Sequence, residues 1–161
     1  MMKTNKISIY IHIPFCESGC HYCDFCSSLL SEPKVEKYFK YLRKEIKLNE
    51  DFLKDKIIDT VFIGGGTPSS VDSRFIKEIM DDLSAYNFSD NREISIESNP
   101  NSLTREKAEE YFSYGINRIS IGAQSFNEEI LKRIGRIHKK EDIYRAIELS
   151  LIHISEPTRP Y

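Results

Sequence analysis

The sequence predicts an α/β fold built on a parallel sheet, because short apolar runs typical of strands alternate with longer amphipathic runs typical of helices. Four such strand–helix pairs follow one another along the 161 residues. The order βαβαβαβα is typical of parallel strands joined by right-handed crossovers, whose loops gather at the carboxyl ends of the strands. Because every unusual segment of the sequence follows a predicted strand, we expect one shared site at that edge.

The first strand–helix pair contains all four cysteines of the chain. A strand is predicted from Ile7 to Ile13, where isoleucines alternate with polar or aromatic residues and give the strand two different faces. The segment from Cys16 to Cys26 follows as a loop. Apolar residues between Val35 and Ile46 then recur at helical spacing and predict the first helix.

The next two pairs are predicted from the same kinds of pattern. A strand at Thr60 to Ile63 ends in the glycine-rich turn Gly64 to Pro68, and a helix with an apolar face runs from Phe75 to Leu83. A third strand covers about Glu93 to Glu97 and ends at Ser98-Asn99-Pro100. The residues that we expect to start or stop the later helices are Thr104, Gly115 and Asn127.

The fourth strand, Arg118 to Gly122, is followed by a short helix at Glu128 to Ile134 and a last helix from about Glu141 to Leu149. Four strands are too few to close a barrel, so the predicted fold is a partial (β/α) barrel that is truncated. Residues 1–149 form the predicted core. Residues 150–161 carry two prolines where a strand is expected and resemble a translated sequencing adapter, which predicts a non-native tail.

Composition excludes several classes of protein. The formal net charge of −2 argues against the basic surface typical of nucleic-acid-binding proteins. No apolar run has the length of a transmembrane helix, and the alternating N-terminal segment lacks the features of a signal peptide. We therefore predict a cytoplasmic protein, in a compartment where thiols stay reduced and free to bind metals.

The cysteine spacing indicates a metal site. Cys16-x3-Cys20-x2-Cys23 places three thiols in one short loop, whereas a structural zinc site usually uses two separated ligand pairs. Three thiolates can hold an iron–sulfur cluster and leave one iron open for a substrate. The spacing favours a cluster, while a zinc-stabilised binding module and inert buried cysteines stay open as alternatives.

These residues carry a family resemblance. The segments Tyr10 to Cys16 and Cys20 to Phe25 resemble the radical S-adenosylmethionine (SAM) core shared by oxygen-independent coproporphyrinogen III oxidases and the HemW heme chaperones. The resemblance extends over about residues 7–149. It implies a [4Fe–4S] cluster on Cys16, Cys20 and Cys23 that contacts SAM, within a partial barrel of the radical SAM type.

The resemblance also implies which residues contact SAM. The glycine turn would receive the amino end of SAM, and Glu97 would accept hydrogen bonds from its ribose or ammonium group. Without the resemblance these residues would be ordinary turn, surface and core positions. The cofactor contacts it predicts are Tyr10, Tyr22, Gly65, Gly66, Thr67, Glu97, Gln124 and Arg136. No catalytic residue is assigned.

Two features favour the heme chaperone branch over the oxidases. The oxidases resemble one another in an extra cysteine two residues after the third ligand, and this chain has Phe25 there and Cys26 one residue later. The segment before the first strand is also short. Cys26 is then a spare thiol. The implied partners are heme or a porphyrinogen, an electron donor and heme-accepting proteins; nothing selects a heme ligand among His12, His21, His138 and the cysteines.

Overall fold

The computed structural model describes residues 5–151 and has a four-stranded parallel sheet at its centre. The strands are β1 (Lys6–Ile13), β2 (Phe15–Cys16), β3 (Ser28–Leu29), β4 (Ile57–Gly65), β5 (Asn87–Ser98) and β6 (Arg118–Ile121). The helices are α1 (Glu32–Leu48), α2 (Glu50–Leu53), α3 (Ser73–Leu83), α4 (Arg105–Ser113), α5 (Glu128–Arg133) and α6 (Lys140–Leu151), with a short 3-10 helix at Pro68–Ser70.

The central sheet has the order β1-β4-β5-β6, with every neighbouring pair parallel. Sequential neighbours in this sheet are therefore joined by helical crossovers, which confirms the predicted parallel α/β fold. β5 is longer than the sequence predicts because it begins at Asn87. Its extra residues pair with the start of β4 through Asn87 and Phe88.

The core lies between the sheet and its helices. Ile13 of β1, Ile63 of β4 and Ile96 of β5 are fully buried. In β1 this agrees with the predicted alternation of isoleucines with polar or aromatic residues. On the helical side, Phe39 of α1 stacks on Phe75 of α3 with ring centroids 4.6 Å apart. The helices therefore cover the sheet face that carries these isoleucines, and the alternate residues of the same strands point to the opposite face.

The predicted helix boundaries agree with the structure at their caps. The Thr104 side chain accepts a hydrogen bond from the Lys107 N–H, and the Asn127 side chain accepts two from the first turn of α5. Gly115 adopts a φ of 89° two residues after the end of α4, a conformation that glycine reaches without strain. Ser150 and Leu151 continue α6, and the rest of the predicted tail lies outside the described residues.

A second, two-stranded sheet has no counterpart in the predictions. β2 and β3 pair in parallel through Phe15 with Ser28 and Cys16 with Leu29, on either side of the cysteine loop. Two-residue strands leave no alternation in a sequence, so the pattern could not reveal them. This small sheet closes the base of the cysteine loop.

Candidate functional site

The carboxyl ends of the four central strands surround one cavity of about 510 Å³. Its walls come from the cysteine loop, the turns after β4, β5 and β6, and the segment after α5. The residues that line it are Cys16, Ser18, Cys20, Tyr22, Cys23, Asp24, Phe25, Gly65, Gly66, Thr67, Glu97, Ser98, Asn99, Ser120, Ile121, Gly122, Gln124 and Arg136. The structure therefore brings together the three predicted metal ligands and seven of the eight predicted SAM contacts.

The three predicted cysteine ligands line this cavity as free thiols. Cys16 and Cys20 are partly buried, and Cys23 is exposed. Within residues 5–151, no three or more His, Cys, Asp or Glu side chains are grouped closely enough to hold a metal ion. The thiols thus share one cavity without converging on a single point. Cys26 is also a free thiol, but it is absent from the cavity lining.

The cysteine loop is attached to the end of α5. The backbone N–H of His21 donates to the Ile134 carbonyl at 3.2 Å, and its imidazole Nδ1 donates to the Arg133 carbonyl at 3.1 Å. Gly135 follows with a φ of 78°, and an added Cβ there would lie 3.3 Å from the His21 ring. His21 is therefore engaged in fixing the loop against the far wall of the cavity.

His12 holds the other end of the cysteine loop. Its Nε2 donates to the Cys26 carbonyl at 3.0 Å, so its neutral ring can accept the Tyr10 hydroxyl at Nδ1, 2.9 Å away. The Tyr10 ring stacks on Phe62 of the neighbouring strand and is 59% exposed. Tyr10 does not line the cavity, and it is the one predicted SAM contact that the structure leaves apart from the others.

The glycine turn after β4 approaches the cysteine loop at backbone distance. The Gly66 N–H donates to the Ile13 carbonyl at 2.9 Å, and the Thr67 N–H donates to the Phe15 carbonyl at 2.7 Å. An added Cβ on Gly66 would lie 2.6 Å from the Phe15 carbonyl oxygen and 2.9 Å from Cys16 Sγ. Gly66 therefore has no room for a side chain, and its being glycine allows the turn to pack directly against the cysteine loop.

Glu97 at the end of β5 extends a carboxylate into the site. Its Oε2 accepts the Gly65 N–H at 3.0 Å, and an added Cβ on Gly64 would lie 2.9 Å from the same oxygen. The missing side chain of Gly64 therefore leaves the space that the carboxylate occupies. A carboxylate fixed in this way can accept further hydrogen bonds from hydroxyl or ammonium groups in the cavity.

Arg136 connects two walls of the cavity. Its Nε donates to the Tyr22 hydroxyl at 3.1 Å, and its Nη1 donates to Asn99 Oδ1 at 2.7 Å. Burial raises the pKa of the Tyr22 hydroxyl, and the neighbouring guanidinium opposes that rise. The contact orients Tyr22 within the cysteine loop and places a positive charge on the cavity wall.

The turn after β6 contains a backbone conformation that is unusual for its residue type. Gln124 has a φ of 63°, the one positive φ of a non-glycine residue within 5–151. This left-handed conformation is sterically unfavourable for an L-residue and recurs at functional sites. Next to it, the Ala123 carbonyl accepts a hydrogen bond from His138 Nε2 at 3.0 Å, which holds the turn in place.

The buried ring of His138 predicts a pH dependence of stability. The side chain is 3% exposed, and burial lowers its pKa from the ordinary value of 6.5. As the pH falls, the imidazole is therefore protonated at a higher pH in the unfolded chain than in the folded chain. The free energy of unfolding should then decrease as the pH drops below about 6.5. We expect His138→Gln to flatten the dependence between pH 5 and pH 7 in chemical denaturation. An unchanged slope in that variant would assign the effect to another group.

Several lining residues escaped the sequence predictions, and Asn99 is the most connected of them. It follows β5 directly in Ser-Asn-Pro, so the rule that strand ends gather at one edge could have selected it. Ser120 and Gly122 lie at the equivalent end of β6. A single polar residue in a turn carries no chemical signature of its own, which is why the sequence did not identify it.

Comparison with known proteins gives the class of this fold and site. A family described as the radical SAM superfamily matches residues 10–153, and the chain belongs to that superfamily. The family implies SAM and a [4Fe–4S] cluster.

Within this superfamily, the chain is similar to heme chaperones and to a coproporphyrinogen III oxidase. The chain is 41% identical to the heme chaperone HemW of Buchnera aphidicola subsp. Schizaphis graminum, over 92% of this chain and 40% of that protein. It is 34% identical to the oxygen-independent coproporphyrinogen III oxidase of Helicobacter pylori, over 89% of this chain and 32% of that one. The chain thus spans about two fifths of the length of the HemW relative.

A solved structure supports the same fold. Coproporphyrinogen III oxidase (HemN) from Escherichia coli, described as a radical SAM enzyme, superimposes with a TM-score of 0.83 at 28% identity. The match covers 89% of this chain and 33% of that chain. The predicted partial barrel of the radical SAM type is therefore confirmed. Among residues 5–151, no helix combines the length and the apolar character needed to cross a membrane.

Proposed function

We propose that this chain holds a [4Fe–4S] cluster through Cys16, Cys20 and Cys23 and binds SAM beside it. The observation that carries the proposal is the shared cavity, which has three thiols on one wall and a glycine turn, a carboxylate and a guanidinium on the others. These residues fit the group, because a cluster offers a separate iron to each thiolate and its ligands need not converge on one point.

The remaining walls suit a small zwitterionic cofactor. The Gly65–Gly66 backbone can approach the ligand closely, Glu97 can accept its hydroxyl or ammonium protons, and Arg136 can pair with a carboxylate. Gln124 and Tyr22 complete the lining, and Tyr10 remains a prediction that only the resemblance supports. When bound, a reduced cluster supplies one electron to SAM, while the residues of this chain orient the cofactor and exclude water.

Glu97→Gln tests the SAM site directly. Removing the negative charge while keeping the shape should weaken SAM binding about tenfold or more, because hydrogen bonds to charged groups contribute about 1.5–3 kcal/mol. Anaerobic isothermal titration of the cluster-loaded protein measures this. Glu93→Gln is the matched control, since Glu93 lies on the same face of β5 but pairs with Arg118 outside the cavity. Equal affinities in both variants would contradict the assignment of Glu97.

For the whole protein, we propose heme binding and delivery of heme to other proteins. The Phe25-Cys26 order after the third ligand and the identity with HemW proteins support this function. The alternative is a coproporphyrinogen oxidase, which the similarity to the Helicobacter pylori enzyme and to HemN supports. Anaerobic heme titration and porphyrinogen turnover separate them, because stable heme uptake without decarboxylation fits the chaperone and turnover fits the oxidase.

Free thiols at a cluster site require a reducing compartment, so we propose the cytoplasm. An external one-electron donor would reduce the cluster, and heme-accepting proteins would be the final partners. We propose a core at residues 1–149 and a non-native tail at 150–161; α6 and the family match end slightly past that boundary, at Leu151 and residue 153.

A further inference from the structure

A continuous chain of side-chain hydrogen bonds connects the guanidinium of Arg136 to the sulfur of Cys16. Arg136 Nη1 lies 2.7 Å from Asn99 Oδ1, and Asn99 Nδ2 lies 3.2 Å from Thr67 Oγ1. Thr67 Oγ1 in turn lies 3.7 Å from Cys16 Sγ. The chain begins at Arg136, in the segment after α5, and ends at the first predicted cluster ligand.

The direction of each hydrogen bond follows from the chemistry of the groups. A guanidinium can only donate, so the Asn99 atom that faces Arg136 must be the oxygen. The Asn99 amide nitrogen then faces Thr67 and can only donate to the hydroxyl oxygen. Because the Thr67 hydroxyl oxygen accepts the hydrogen bond from Asn99, the hydroxyl proton is free to point towards Cys16 Sγ. We call this directed set of Arg136, Asn99, Thr67 and Cys16 the relay.

The middle of the relay is held in place by backbone contacts. Thr67 is 4% exposed, and its N–H donates to the Phe15 carbonyl at 2.7 Å. The Asn99 N–H donates to Ser69 Oγ at 3.2 Å, and Ser69 is fully buried. The hydroxyl of this buried threonine faces Cys16 Sγ, so the sulfur is the acceptor for its proton.

We propose that the relay tunes the cluster, with Thr67 donating a hydrogen bond to the Cys16 thiolate and Asn99 acting as a positioning residue that fixes its direction. This inference rests on the proposed cluster site. The one-electron reduction of a [4Fe–4S] cluster, from the 2+ to the 1+ state by an external one-electron donor, adds negative charge to the cluster and its thiolates. A hydrogen bond to a ligand sulfur stabilises that charge and raises the reduction potential.

The relay also connects the SAM site with the cluster site, the two halves of the cavity. Arg136 lies in the predicted SAM site and Cys16 in the cluster site, so a ligand that draws Arg136 away from Asn99 releases the Asn99 amide. The Thr67 hydroxyl then loses the contact that directs it. The reduction potential should therefore respond to occupation of the SAM site in a way that depends on Asn99.

Redox titration followed by electron paramagnetic resonance tests the relay on the full-length protein with its cluster reconstituted. Thr67→Val keeps the β-branched shape and removes the hydroxyl. We expect about a fivefold shift of the equilibrium towards the oxidised state, which is a fall of ~40 mV at 59 mV per tenfold change for one electron. Thr67→Ser is the matched control, since it keeps the hydroxyl and should keep the potential.

Asn99→Asp tests the direction of the relay. Aspartate keeps the contact with Arg136 but has no proton for Thr67, so the hydroxyl should turn from the sulfur to the new carboxylate. The potential should fall, and the fall should be smaller in the Thr67→Val background, where only the added charge acts. The same fall in both backgrounds would show a charge effect alone and overturn the role of Asn99.

The outcomes separate this inference from the function on which it rests. If the unaltered protein binds no cluster, the proposed function fails first. If the cluster forms and Thr67→Val has the same potential as Thr67→Ser and the unaltered protein, the function stands and the relay is wrong. Iron and sulfide content measured on each variant shows whether a shift arises from an intact cluster.

Discussion

Replacing Cys16, Cys20 or Cys23 with serine should abolish the iron–sulfur cluster, whereas Cys26→Ser should leave it intact. The three cysteines line the cavity, and Cys26 does not. Three thiolates are the full protein ligand set of a cluster with an open iron, so the loss of one leaves two irons without a protein ligand. The Cys26 backbone carbonyl accepts a hydrogen bond from His12, and serine keeps this bond because it changes only the side chain.

Absorption at roughly 400 nm after anaerobic reconstitution measures the effect, together with iron and sulfide analysis. Each of the three ligand variants should lose most of the absorbance and of the bound sulfide. The Cys26→Ser variant should match the unaltered protein within experimental error. If a ligand variant keeps a full cluster, or if Cys26→Ser loses it, the ligand set proposed above is wrong.

Gly66→Ala should have the second largest effect, although it adds a single methyl group. The new Cβ would lie 2.6 Å from the Phe15 carbonyl oxygen and 2.9 Å from Cys16 Sγ, closer than van der Waals contact allows. Because the nearest atom belongs to the backbone, β2 or the glycine turn must shift, and overpacking of this kind costs about 1–3 kcal/mol. The shift would displace Cys16 and the Thr67 hydroxyl together.

We expect Gly66→Ala to reduce cluster occupancy after reconstitution by more than half and SAM affinity by more than tenfold. Gly19→Ala is the matched control, because Gly19 belongs to the cysteine loop and an added Cβ there meets nothing within 4 Å. Circular dichroism of both variants separates local displacement from unfolding. A Gly66→Ala protein with normal cluster content and SAM affinity would contradict the close packing on which this part of the site depends.

The sequence predicted the sheet and the helix caps because both depend on local patterns. Alternating isoleucines specify β1, and the side chains of Thr104 and Asn127 satisfy backbone donors within one turn of their own positions. The shared edge followed from a general rule about parallel strands, which is why widely separated residues such as Cys16 and Gln124 could be assigned to one site. Arg136 follows a helix, and only the family resemblance assigned it to the site.

The parts that the sequence missed depend on contacts between distant segments. The β2–β3 pairing forms only when the cysteine loop closes, and the role of Asn99 requires Thr67 and Arg136 to be in place on either side of it. Tyr10 stays a predicted SAM contact. Its motif lies just before the first cysteine, but the strand carries its ring towards Phe62 and away from the cavity lining.

The most direct test of the account is electron paramagnetic resonance of the reconstituted, reduced protein, recorded with and without SAM. Three cysteine ligands and a free iron beside the SAM cavity predict the signal of a reduced [4Fe–4S] cluster that changes shape when SAM is added. A protein that binds zinc in place of iron and gives no signal would contradict the cluster. A cluster signal that stays the same with saturating SAM would contradict the shared site.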